Sequence, residues 1–340
     1  MLVTGANGFI GTRVVAMLLA HGFSRVRCLV RPTSDVSVLQ RVVQPAGAQV
    51  EWMPGNLLSR DFCRRAMQGV SVTFHLAAGM EKSFAGSFLN SVVTTRNLLE
   101  GAVADGGLKR FLNVSSFAVY STVDMRRGQL LDETCPVETE HMERNDAYCF
   151  AKVKQDEIVM RYGRDHQVPY VIVRPGAVYG PGTRQKITAR VGIDTFGVFL
   201  HLGGPNRIPL TYVDNCAEAI VLVGITRGAE NQVFNIVDDD VPTSRAFLRL
   251  YKRNVRPFKS VYVPYRLFYL ANWLWEKYSK WSQGQLPPAF NRRRCSAVYK
   301  GNRYTNRKLK ELTGWQPRVP FTEASKRYFE YLRASGGGVR

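Results

Sequence analysis

Met1-Leu2-Val3-Thr4-Gly5-Ala6-Asn7-Gly8-Phe9-Ile10-Gly11-Thr12-Arg13 opens the chain, and the apolar-periodic stretch Val14 to Leu19 comes next. A short apolar run, three glycines at G-x-x-G-x-x-G spacing and a helical pattern spell strand, tight turn, helix. Glycines at such positions let the backbone approach a pyrophosphate closely, and the helix N-terminus then stabilises the phosphate charge. The stretch therefore predicts a dinucleotide-binding unit, with Gly5, Asn7, Gly8, Phe9, Ile10 and Gly11 around the phosphates. A glycine triplet alone also fits an ordinary β-turn-α connection, so the downstream residues must decide between the two.

The next apolar run, Val26-Arg27-Cys28-Leu29-Val30, reads as a second strand and ends at Arg31. NAD-selective sites place an acidic residue about twenty residues past the glycines for the ribose 2′-hydroxyl, whereas an arginine accommodates the 2′-phosphate of NADP. Arg31, backed by Thr33 and Ser34, favours NADP over NAD; an arginine stacked on adenine without selecting a phosphate is the alternative.

Further along, Tyr148 and Lys152 stand four residues apart in Asp146-Ala147-Tyr148-Cys149-Phe150-Ala151-Lys152. On a helix, residues at i and i+4 share a face. A phenol titrates near pH 10 on its own; a neighbouring positive charge favours the phenolate and brings it toward the range useful for proton transfer. The same pair also occurs on solvated helix faces, and its company is what makes it informative.

That company resembles the extended short-chain dehydrogenase/reductase family, which includes NAD-dependent nucleotide-sugar epimerases and dehydratases and hydroxysteroid-type dehydrogenases. The glycine loop, Phe74-His75-Leu76-Ala77-Ala78-Gly79, the segment from Asn90 through Thr94 and Asn97, and Phe111-Leu112-Asn113-Val114-Ser115-Ser116 fit its motifs in order. So do Val173-Arg174-Pro175-Gly176-Ala177-Val178-Tyr179-Gly180, Leu210-Thr211-Tyr212-Val213-Asp214-Asn215 and Leu312-Thr313-Gly314-Trp315. The resemblance implies Ser116, Tyr148 and Lys152 as catalytic residues. It implies cofactor contacts from Asn56, Leu57, Leu76, Ala77, Ala78, Asn90, Val114, Pro175 and Val178 as well as the glycine loop, Arg31, Tyr148 and Lys152. Ser116 and Tyr179 are expected at the small-molecule substrate, and Lys82 and Arg207 are basic candidates for meeting a diphosphate if that substrate is anionic. Two departures stand out. Asn56 sits where many relatives carry an aspartate for the adenine amino group, and only Met1 to Thr4 precede the turn. By analogy the resemblance also implies a homodimer through helices at about 85–105 and 146–166.

With 340 residues, 45% of them hydrophobic, the chain can bury a full core. Short apolar runs alternate with helical patterns through about residue 180, which predicts an α/β fold with a doubly wound parallel sheet. The expected division is a Rossmann-type NAD(P)-binding domain over 1–180 and a smaller substrate lobe over 181–335, with segments of about 210–236 returning to the main sheet. The Gly336–Arg340 tail reads as unstructured. Six scattered cysteines without C-x-x-C spacing suggest a reducing compartment. Five histidines far apart without ligand-spaced companions suggest no metal. The first residues form the cofactor strand rather than a signal peptide, and no run is long and apolar enough to span a bilayer. The expectation is cytoplasmic.

The formal net charge of +20 is unevenly spread. Between Tyr251 and Lys310 there are 15 Lys/Arg against one acid, Glu276, so this stretch carries +14 of it, together with three of the five tryptophans. Within it, 264–281 reads as a helix with Leu267, Phe268, Leu270, Ala271, Leu274, Trp275, Tyr278 and Trp281 on one arc. A basic, aromatic, amphipathic helix suits a peripheral position on an anionic membrane surface; a lid helix packed on the lobe, with its basic residues meeting a substrate phosphate, is the alternative. A basic patch alone is weak support for nucleic-acid binding. Three functions stay open: a nucleotide-sugar epimerase, dehydratase or reductase; a hydroxysteroid- or lipid-type dehydrogenase; and a catalytically silent cofactor-binding sensor, against which the intact Ser116, Tyr148 and Lys152 argue.

Overall fold

A computed structural model of the chain describes residues 1–44, 49–183, 186–195, 197–283, 285 and 291–336. Beyond Gly336, the tail expected to be unstructured lies outside the described residues. Seven strands form the central sheet: β1 (Leu2–Thr4), β2 (Arg25–Val30), β3 (Gln49–Pro54), β4 (Val72–His75), β5 (Arg110–Val114), β6 (Tyr170–Pro175) and β7 (Gln232–Ile236). Their order is β7-β6-β5-β4-β1-β2-β3, every pairing parallel. Parallel strands need covering on both faces, so they read as apolar runs; β1 and β5 are buried at every residue.

Six helices matter for the site: α1 (Gly11–Ala20), α2 (Thr94–Asp105), α3 (Ala147–His166), α4 (Val213–Ile225), α5 (Tyr265–Trp281) and α6 (Arg292–Tyr299). The Asp146 side chain caps α3 by accepting from Cys149 N at 3.1 Å, which sets the start of the helix one residue before Tyr148. The strand order reverses beside β1, where β1 pairs with both β2 and β4. In an open α/β sheet, the crevice beyond the strand C-termini at such a switch point receives the ligand, and the glycine turn leaves β1 there.

The segment 210–236 divides its roles. Gln232–Ile236 extends the main sheet as β7, while Leu210–Tyr212 pairs with Ala177–Tyr179 in a separate two-stranded ladder. The expected return of Leu210–Tyr212 to the main sheet is corrected: that edge of β6 is taken by β7, and the chain after Pro175 offers the free partner, beginning with Ala177 N donating to Pro209 O at 2.7 Å. Between them, α4 buries most of its length against the core. The lobe adds a three-stranded sheet of Gly192–Thr195, Val198–His201 and Ser260–Tyr262. Leu130–Leu131 pairs with Arg303–Tyr304, which brings Tyr304 onto the Phe117 ring, 5.8 Å between centroids.

Candidate active site

The glycine turn fits a pyrophosphate by its own geometry. Gly5 has φ +65°, and a Cβ there would come 3.1 Å from Ala77 N. A side chain at Gly11 would run into the Gly5 carbonyl. The Thr4 hydroxyl accepts from Leu76 N and Ala77 N at 3.2 and 3.1 Å, so the ends of β1 and β4 are tied together beneath the turn. Arg13, which sequence reasoning did not single out, locks the turn from the other side. It donates to Phe9 O at 3.0 Å and Pro181 O at 2.7 Å and pairs with Asp214 at 3.4 Å. Val178 and Pro175 are buried at the end of β6 and just past it. Arg31 is exposed directly after β2. Asn56 is also exposed, and its Oδ1 accepts from Leu58 N at 2.9 Å, which leaves its NH2 group facing outward from a local turn. Leu57 holds the Asn97 side chain through its carbonyl at 2.9 Å, and Asn90 donates to Glu81 Oε1 at 2.7 Å. These residues can hold a dinucleotide.

Two adjacent serines end β5, and the fold separates them. The Ser115 hydroxyl donates inward to buried Asp156 at 2.9 Å, and Asp156 also pairs with Arg174 at 3.2 Å. Ser116 accepts from Ala118 N at 3.1 Å, and its hydroxyl is near enough to the Tyr148 phenol to favour the phenolate. Burial pushes the Tyr148 phenol above its ordinary value; the Ser116 hydroxyl and the Arg190 guanidinium pull it back.

Lys152 is 3% exposed, and burial pushes its ammonium down to about 8, with Asp156 opposing. Its Nζ donates to Val114 O at 2.6 Å and to Gln155 Oε1 at 2.9 Å. The network continues inward. Gln155 Nε2 donates to Thr95 Oγ1 at 2.8 Å, and Thr95 donates its own proton to Ser91 O at 2.6 Å. Thr95 therefore can only accept from His75 Nε2, 2.8 Å away, while the Thr4 hydroxyl donates to His75 Nδ1 at 2.7 Å. This assigns the neutral Nε2–H tautomer, consistent with a His75 pushed down to about 3 by burial and by Lys152. The fold thus links Lys152 to the cofactor strand β1 through four buried side chains. Of these, Gln155 was legible as a partner three residues along the same helix; Thr95 and His75 carry no local signal.

A groove is lined by Arg190, Asn206, Arg207, Ser244, Val298 and Tyr304 among others, and Tyr304 stacks on Phe117, the residue after Ser116. Arg190 sits at the end of the short helix Ile187–Arg190 and acts on Tyr148, Tyr299 and Tyr304 alike. Arg207 also donates to Val241 O at 2.9 Å. The other expected substrate contacts are not in this groove. The Tyr179 side chain is fully buried against the Tyr212, Phe321 and Tyr328 rings, because its strand turns that face toward α4 and the C-terminal helix Phe321–Ala334. Lys82 stands exposed in the loop after β4 and does not line the groove. Among the described residues no cluster of His, Cys, Asp or Glu could hold a metal, and the six cysteines are free.

Residues 1–236 match the NAD dependent epimerase/dehydratase family. Over 98% of its length, the chain is 24% identical to 3beta-hydroxysteroid-dehydrogenase/decarboxylase isoform 1 of Arabidopsis thaliana, of which it covers 80%. It is 29% identical to the UDP-glucose 4-epimerase of Vibrio cholerae, with 79% of this chain and 80% of the relative aligned. The fold is shared with UDP-glucuronic acid 4-epimerase from Bacillus cereus in complex with NAD, at a TM-score of 0.72, 19% identity and coverage of 99% and 98% of the two chains. The glycine turn at the switch point, the serine–tyrosine–lysine group beside it and the family match over two thirds of the sequence lead to one conclusion: the chain belongs to the NAD dependent epimerase/dehydratase family.

Proposed function

We propose that this protein is an NAD(P)-dependent oxidoreductase or epimerase acting on a secondary hydroxyl or ketone of an anionic substrate, in the first reading a nucleotide sugar. The pairing of Arg190 and Arg207 in the lining of one groove, which also holds the Phe117-stacked Tyr304, supports the reading. Two cations beside an acid/base fit a substrate with phosphate or carboxylate near its reacting carbinol.

The bound nicotinamide supplies the hydride chemistry. The Tyr148 oxygen takes the carbinol proton in oxidation and returns it in reduction, and the Ser116 hydroxyl holds the reacting oxygen in line. Lys152 spends two of its three N–H donors on Val114 and Gln155, which leaves one for the cofactor ribose. Its charge favours the phenolate, adding to Ser116 and Arg190 against the effect of burial. Arg31 pairs with a 2′-phosphate, so the preferred cofactor is NADP.

A second reading, a hydroxysteroid- or lipid-type dehydrogenase, has one observation in its favour. The steroid-type relative aligns with 98% of the chain and the sugar epimerase with 79%. A panel of UDP-sugars and 3β-hydroxysteroids, assayed for nicotinamide reduction and for epimer product, separates the two. On the substrate found, Tyr148→Phe lowers turnover about 10²–10⁴-fold with cofactor affinity unchanged, and Arg190→Ala raises KM. Turnover of Tyr148→Phe close to wild type overturns the assignment.

The protein works as a homodimer in this reading. A groove of 540 Å3 between α3 and the helical turn Phe88–Val93 that leads into α2, lined by Phe88, Val92, Val93, Ile158 and Met160 with four basic residues and Glu157, leaves Phe88 and the adjacent Leu89 exposed. A second copy covers it. Light scattering of Phe88→Asp should show a monomer where the wild type is a dimer; a monomeric wild type at micromolar concentration rejects the pairing.

A further inference from the structure

α5 faces the wrong way for an ordinary surface helix. The side pressed onto the lobe carries Asn272 and Ser279, both buried, and Glu276, whose carboxylate accepts from the Arg292 backbone and guanidinium at 2.6 and 2.7 Å. Tyr265, Phe268 and Tyr269 pack there too, Phe268 with its ring 6.1 Å from the Tyr299 ring centroid on α6. The opposite side points away from the protein and is apolar: Leu267, Leu270, Leu274, Tyr278 and Trp281 are 59%, 49%, 54%, 44% and 79% exposed. At about 100° per residue these five share one arc, centred opposite Asn272 and Ser279. Exposed Trp273 and Trp275 border it. α5 packs through Tyr265, Phe268 and Tyr269 together with Asn272, Glu276 and Ser279, and leaves most of its apolar arc outside.

Charge surrounds this arc. Arg266, Lys277 and Lys280 lie exposed along one flank, with the Lys277 ammonium 5.9 Å from the Trp273 ring. Just upstream in the chain, Val261 and Tyr262 are also exposed, as are Arg253, Arg256 and Lys259. The single acid between Tyr251 and Lys310 is Glu276, which is neutralised on the inner side. An apolar patch of this kind, rimmed by one sign of charge, marks an interaction surface.

We propose that α5 docks on the surface of an anionic lipid bilayer, with its Leu, Tyr and Trp arc in the headgroup–acyl boundary and its lysines and arginines on lipid phosphates. Trp and Tyr settle at that depth, and cations beside an apolar face are what an anionic leaflet attracts. At 17 residues the helix is about 25 Å long, and no described helix is long and apolar enough to cross a membrane, so α5 lies in the interface plane. It rests on α6, whose Ala297 and Val298 line the groove. The bilayer surface is therefore one helix layer from the candidate active site. The inference is independent of the reaction assigned above, because vesicle binding is read without turnover.

The test is sedimentation of the full chain with phosphatidylcholine vesicles with and without phosphatidylglycerol, across a salt series. The wild type should bind the anionic vesicles, more weakly but still measurably at high salt. Lys277→Gln with Lys280→Gln should weaken low-salt binding roughly thirtyfold, about one charge's worth each. Trp275→Ser with Trp281→Ser should weaken it on the order of a hundredfold and abolish the salt-resistant part. Both pairs are exposed, so melting temperatures should match the wild type. Failure of the wild type to bind anionic vesicles at low salt overturns the proposal, as does wild-type binding by the tryptophan variant. If the tryptophan variant instead lowers the mass seen by light scattering while vesicles are ignored, the arc pairs with a second copy and the proposal falls.

Discussion

Gln155 holds Lys152: the carboxamide oxygen accepts from the ammonium at 2.9 Å while its NH2 group donates to Thr95 at 2.8 Å, so the amide cannot turn over without losing both contacts. Replacing it with leucine removes one acceptor from a buried ammonium, whose pKa then falls further below about 8. Gln155→Leu should shift the alkaline limb of the pH–rate profile toward acid and raise KM for the cofactor more than it changes the melting temperature. Gln155→Glu, which restores an acceptor, should bring the limb back. An unmoved limb in the leucine variant would separate Lys152 from that limb.

Lys152 also makes a stability prediction with a defined sign. Its folded pKa of about 8 lies below the ordinary 10.5, so between these values the unfolded chain binds more protons than the folded one. Stability contributed at this site rises with pH across that window and is lowest below it. Lys152→Met should therefore gain most in melting temperature, relative to wild type, at pH 7. The difference should shrink toward pH 10, whatever constant offset the lost hydrogen bonds add. A difference that stays flat from pH 7 to 10 would rule out a depressed Lys152.

The two serines at the end of β5 should fail in different ways. Ser115→Ala deprives buried Asp156 of a donor at 2.9 Å and should cost about 1–3 kcal/mol of stability with modest change in turnover. Ser116→Ala should leave the melting curve in place and lower kcat. Chemical denaturation and initial rates on both variants read the contrast, and a reversed pattern would exchange their roles.

Arg31→Asp should move cofactor preference from NADP to NAD. The change removes a charge-assisted contact to the 2′-phosphate and supplies an acceptor for the 2′-hydroxyl. Titration of both cofactors decides it; a wild type that already binds NAD more tightly leaves Arg31 as a stacking residue.

The cofactor turn, the parallel α/β fold class and the tyrosine–lysine spacing were legible because each shows in patterns of residues close in sequence. Three glycines make a turn wherever they follow a strand, period-3.6 apolarity makes α1 and α3, and spacing of four puts Tyr148 and Lys152 on one face. Which of the two serines is held by Asp156 was not legible; Ser115 makes that contact and Ser116 does not. Tertiary structure alone decided matters that rest on distant partners. Arg190 and Arg207 line one groove with Ser244 and Tyr304, which are widely separated in sequence, and Tyr179 is turned from the groove by Phe321 and Tyr328, more than a hundred residues away in sequence. The amphipathic arc of α5 was visible in the sequence, but not which side would face out. That was set by Glu276 meeting Arg292 and by Phe268 meeting Tyr299: periodicity fixes which residues share a face, and only the packing partner determines which face is buried.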